Sequence, residues 1–146
     1  MPRTCHRVAA HGRDVEYASC AGTAYLSLGY HRGRTTTARE KTLWIIPRAD
    51  ECHVFCSTEA PGSTDMNGDA WAISKDAARV FGENGERFAF FAKPVNAPTD
   101  PWHGYPVSGR KKAVTRRRPP DDVVAHWLQS GWISFTTHER ILGGRL

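Results

Sequence analysis

The sequence predicts a single α+β domain: a mainly antiparallel sheet of five to six strands, two to three short helices and a C-terminal helical appendage. Three observations predict it. The 146 residues suit one domain. Apolar segments with strand character are grouped before Pro94 instead of alternating with helices. The clearest helical spacing follows Pro119. The expected division is a sheet core over about 14–93, a loop and basic run over 94–118, and helices over 119–146. Hydrophobic content of 40% with 24% charged residues fits a folded chain, not a disordered one.

The first dozen residues show no period and are expected to be loosely held. Val15–Ser19 and Ala24–Tyr30 read as paired strands around Ala21-Gly22, and His31 to Thr37 as a polar, basic loop. Thr42–Ile46 is a continuous β-branched and aromatic run stopped by Pro47, which suits a central strand buried on both faces. Glu51–Ser57 then reads as its hairpin partner across Arg48-Ala49-Asp50. Turn residues dominate from Thr58 to Gly68. Ala70–Ile73 is a strand, and Ser74 is placed to cap a helix over Lys75–Phe81.

Arg87–Lys93 is a strand that Pro94 ends. Four Pro and a Gly over the stretch from Pro94 to Pro106, both included, describe a loop. Pro119-Pro120-Asp121-Asp122 opens a helix, with Pro tolerated in the first turn and the acids opposing the positive dipole end. Val123, Val124, Trp127 and Leu128 give it an apolar stripe; Gly131 ends it, and Thr136 or Thr137 can cap a short final helix. Leu43, Ile45, Val54, Trp71, Ile73, Phe88, Phe90, Trp127 and Leu128 form the expected core.

No apolar run approaches the ~20 residues of a membrane span, and the N-terminus lacks a secretory apolar stretch, so a cytoplasmic location is expected. Arg-rich, Ala-rich composition resembles GC-rich bacterial coding. In a reducing compartment Cys5, Cys20, Cys52 and Cys56 are expected as free thiols. A metal is not expected either. On a strand, Cys52 and Cys56 would lie about 13 Å apart at ~3.3 Å per residue, too far to share one ion. No phosphate loop, dinucleotide fingerprint, hydrolase elbow or deaminase pattern is present, and no cofactor is expected.

The most informative stretch is basic. Arg110, Lys111, Lys112, Arg116, Arg117 and Arg118 crowd together with no acid among them, in a chain of net charge +5. Such a run repels itself unless a polyanion is near. Arg32, Arg34, Arg39 and Lys41 flank three consecutive Thr and add a second group able to meet phosphates. Trp102 and Tyr105, in the Pro-restrained Asp100–Pro106 loop, are candidate stacking rings.

These features point to an accessory protein that contacts nucleic acid, RNA or DNA, through a basic face. Two alternatives use the same residues. One is a metal-independent, toxin-like ribonuclease with His103 as acid/base, Tyr105 assisting, and Arg110 or Lys112 stabilising charge on phosphorus. The other is an interaction module that docks an acidic protein.

Overall fold

The computed structural model describes residues 4–33, 42–93, 100–113 and 116–146. Among these residues six strands form two three-stranded antiparallel sheets, the first three in one and the last three in the other, each in chain order. The strands are β1 (His6–His11), β2 (Asp14–Ala18), β3 (Ala24–Ser27), β4 (Ala70–Ile73), β5 (Phe88–Ala92) and β6 (His103–Val107). Three α-helices accompany them among the described residues: α1 (Arg48–Ser57), α2 (Asp121–Gln129) and α3 (Phe135–Leu142). The α+β class and the C-terminal helices agree with the sequence; the single sheet is in fact two.

The second sheet is the middle layer, and its pleat sorts side chains to opposite faces. Pairing of Trp71 with Phe90 and of Ile73 with Phe88 builds one face. It packs with Val123, Val124, Trp127, Ile133 and Ile141 of the C-terminal segment. Ala70, Ala72, Ala89 and Phe91 point the other way, toward Tyr25, Trp44, Ile46, Cys52, Phe55 and Phe81. The small Ala residues leave room on that side for a dense ring cluster. Phe91 lies 5.2 Å from Phe55 and 5.7 Å from Tyr25, centroid to centroid, distances at which aromatic pairs attract.

Several expectations are corrected. The segment 51–57 is helix, not strand. Pro47 precedes its first turn, Asp50 and Glu51 oppose the dipole there, and Cys52 and Phe55 recur at helical spacing on the buried side. Thr42–Ile46 is consequently not a central strand. It makes one bridge, Trp44 to Gly82, with Trp44 and Ile46 facing inward and Ile45 57% exposed. The anticipated helix over 75–81 shrinks to a 3-10 turn at Lys75–Ala77, because Asp76 and Ala77 adopt left-handed φ values of 52° and 58°. Asp76 there accepts from Ser134 N (2.9 Å) and Thr137 Oγ1 (2.6 Å), holding the start of α3. Ser134, not Thr136 or Thr137, is the cap of that helix.

Within the first dozen residues His6–His11 form β1, and the Asp100–Pro106 loop is largely β6. Pro106 is tolerated in β6 because this strand is the edge of its sheet. Trp102 just before it bridges in parallel to Tyr25 of β3 and so joins the two sheets. The N–H of Leu26 donates to Trp102 O at 2.7 Å, and that of Trp102 to Ala24 O at 2.9 Å.

The cysteines are not free thiols. Cys5 pairs with Cys52 and Cys20 with Cys56, with Cα–Cα distances of 6.2 and 5.6 Å. Both bonds tie the first sheet to α1. Among the described residues no helix is long and apolar enough to cross a membrane.

Candidate nucleic-acid interface

The basic run leaves the end of β6 and doubles back. Arg116 bridges in parallel to Ser108, and Arg117 N–H donates to Ser108 O at 2.9 Å. Two contacts fix the excursion between them. Arg116 Nε donates to Gly109 O at 3.0 Å, and Lys111 N–H donates to Gly144 O at 3.1 Å near the C-terminus. Gly109 is required at the crossing. A Cβ there would stand 2.8 Å from Leu146 O and 3.0 Å from the Arg118 Cβ.

Of the six cations, Arg110, Lys111, Lys112, Arg116 and Arg117 are exposed. Only Arg118 forms an ion pair among the described residues, with Asp121 of α2. Arg117 has a second role: its guanidinium lies 4.3 Å over the Phe90 ring, a cation–π contact that holds the charge in one place.

Phe90 pairs with Tyr105 across β5 and β6, their rings 5.6 Å apart. His31 stacks on Tyr105 with centroids 4.9 Å apart and planes inclined by 20°. Its Nδ1 lies 2.9 Å from Thr42 O. His31, Tyr105, Phe90 and Arg117 therefore form a continuous series of planar groups. Thr42, the residue after the second basic segment, meets His31 at one end of that series. Arg34, Arg39 and Lys41 lie outside the described residues.

The other site residues are placed differently. Arg32 turns inward: its Nη2 lies 2.6 Å from Glu51 Oε1, and Nη1 donates to Ile46 O. Trp102 is half-buried with its ring 5.6 Å from Phe55, on the α1 side of the second sheet. His103 is half-buried beside Ala92, and its Nδ1 is enclosed without a hydrogen-bond partner among the described residues. Burial holds its imidazole below the usual pKa, in the neutral form at pH 7.

His103 and the cations named with it are not brought together. His103 faces Ala92 at one end of β6, whereas Arg110 follows the other end and lies over Gly85. Arg117 is the basic residue that reaches Tyr105's neighbourhood instead. Sequence reasoning missed His31, whose only signal was a second aromatic, Tyr30, beside the basic segment. It also missed Glu51 as the partner of Arg32, for which the sequence carries no local cue.

A cavity of about 320 Å³ lies elsewhere, between α1, β4 and α2. Trp71, Trp127, Trp132 and His126 line it, with no Lys, Arg, Asp or Glu, so it offers nothing to a polyanion. Comparisons with protein-family models, with characterised proteins and with solved structures give no match.

Proposed function

We propose that this protein binds single-stranded nucleic acid along the ridge formed by Arg110, Lys111, Lys112, Arg116 and Arg117. The observation that carries the reading is the five exposed cations in one short segment, whose backbone is bonded to Ser108 and Gly144 and whose Arg116 side chain donates to Gly109 O. A ridge held this way loses little backbone entropy on meeting a phosphate chain. The partly buried His31 and Tyr105 rings, beside the buried Phe90 that Arg117 covers, favour flexible strands, whose bases and phosphates can adapt to planar groups, over a stiff duplex.

Cleavage of RNA is supported less well, because the ridge and His103 occupy opposite ends of β6.

The test is a fluorescence-anisotropy titration of the full chain against random single-stranded RNA, single-stranded DNA and duplex DNA at two salt concentrations. Single strands should bind more tightly, with a log–log salt slope of about −0.7 per phosphate contact. Replacing Arg110, Lys111 and Lys112 together by Ala should weaken binding across sequences and flatten that slope. Flat isotherms for all three at ~50 mM salt overturn the reading. Tighter binding to polyglutamate than to RNA overturns it in favour of an acidic protein partner.

A further inference from the structure

The four cysteines converge on one point from three parts of the chain. The β1/β2 register pairs His6 with Ala18, so Cys5 and Cys20 emerge from the same end of the first sheet. The helix places Cys52 and Cys56 one turn apart, about 6 Å along the axis at 1.5 Å per residue. The expectation that these two cannot share an ion rested on an extended segment and does not hold for a helix.

The resulting cluster is small. The ligand atoms of Cys5, Cys52 and Cys56 lie within 4.8 Å of one another, as do those of Cys5, Cys20 and His53. Sulfurs belonging to different disulfides approach as closely: Cys5 Sγ is 3.3 Å from Cys56 Sγ. Four sulfurs at the ~2.3 Å bond length of tetrahedral zinc would stand roughly 3.8 Å apart, and once the S–S bonds are reduced the Cys5–Cys56 separation of 3.3 Å needs only a small spreading to match it. The backbone N–H of Cys20 also points at Cys56 Sγ from 3.0 Å. An amide aimed at sulfur stabilises negative charge there, the condition a thiolate ligand needs. The Cys52–Cys56 spacing falls within the C-x2–4-C range of structural zinc sites.

We propose that, when its thiols are reduced, this chain binds one Zn²⁺ through Cys5, Cys20, Cys52 and Cys56 as a closed structural site. Four thiols lose their protons to solvent as four S–Zn bonds form, with no change of oxidation state. The metal does what the two disulfides do in the oxidised chain, clamping the first sheet to α1. The site is independent of the basic ridge.

The test uses the full chain made in a reducing cytosol and purified with a phosphine reductant and no chelator. Native mass spectrometry should find one zinc per chain with all four thiols reduced. Cobalt should replace it and give the intense absorption of tetrahedral thiolate coordination. Cys20→Ser and Cys56→Ser should each lower zinc content at least tenfold under a competing chromophoric chelator. The cobalt measurement on the wild-type chain decides the matter if a variant does not fold. A folded reduced chain that takes up neither zinc nor cobalt, disulfides that survive the reductant, or zinc retained in both Ser variants would each overturn the proposal.

Discussion

Arg32 holds its guanidinium 2.6 Å from the carboxylate of Glu51, a side chain with no exposed surface. Ser27 Oγ donates to the same carboxylate at 2.8 Å, and the Tyr25 hydroxyl donates to its other oxygen. Removing the cation would leave a buried carboxylate without its counter-charge. Arg32→Met should therefore lower unfolding stability by about 3–5 kcal/mol in urea titrations, with partial recovery in the Arg32→Met/Glu51→Gln pair. An unchanged midpoint for Arg32→Met would return Arg32 to the set of residues free to meet phosphate.

Burial raises the Glu51 pKa, against the opposing pull of Tyr25 and Arg32. A carboxyl whose folded pKa lies above its unfolded value contributes stability that is fully present below the unfolded value, and lost as pH rises through the folded one. The difference in stability between wild type and Glu51→Gln should shift against the wild type as pH climbs from the ordinary carboxylate range. Parallel pH–stability curves for the two proteins would show that the group does not titrate as its surroundings imply.

His103 carries the opposite sign. Its folded pKa is depressed by burial, so its contribution is present above the unfolded imidazole value of about 6.5 and disappears as pH falls through the folded value. Proton NMR should find His103 titrating below the ordinary imidazole value of about 6.5. His103→Gln should be less sensitive than wild type to acidification below pH ~6.5.

Gly104 tests the closeness of β5 and β6. A Cβ there would overlap the Phe91 ring and stand 2.5 Å from the Phe90 carbonyl oxygen. Gly104→Ala should lower stability by about 1–3 kcal/mol or more, although both residues are small. A neutral effect in thermal unfolding would mean that β5 and β6 can separate to admit a methyl group.

Trp102 separates packing from recognition. With its ring against Phe55 and its backbone bonded to β3, Trp102→Ala should cost about 3 kcal/mol and leave affinity for single strands unchanged once the protein is folded. A selective loss of single-strand binding at unchanged stability would restore the stacking role that the sequence suggests.

The elements most legible in the sequence were those whose pattern matched their burial. In α2 the Pro-Pro-Asp-Asp start and the stripe of Val123, Val124 and Trp127 said the same thing. In β5 alternation placed Phe88 and Phe90 together. Strand β1 was illegible because most of it is exposed, so it carries no core-facing period. Strand β6 contains Gly104 and Pro106, which read as loop until the edge position and the Phe91 ring explain them. Segment 51–57 misled because Val54 and Phe55 favour strands locally, while the acids after Pro47 and the Cys52/Phe55 spacing favoured helix. The exposed cations of the ridge were readable as a run; the inward turn of Arg32 was not, since its partner lies on a helix that had been read as a strand.

The parallel bridge between Tyr25 and Trp102 also dictates an order of events during synthesis. The first three strands pair locally and can form as soon as they leave the ribosome. Their outer edge meets its partner only when Trp102 follows, after α1, β4 and β5 have emerged. Until then β3 presents an unpaired edge beside a half-built aromatic cluster, a surface prone to pairing with another chain. Slow translation between Ser27 and Trp102 would prolong that exposure, and a ribosome stalled there would hold the chain at its most aggregation-prone length.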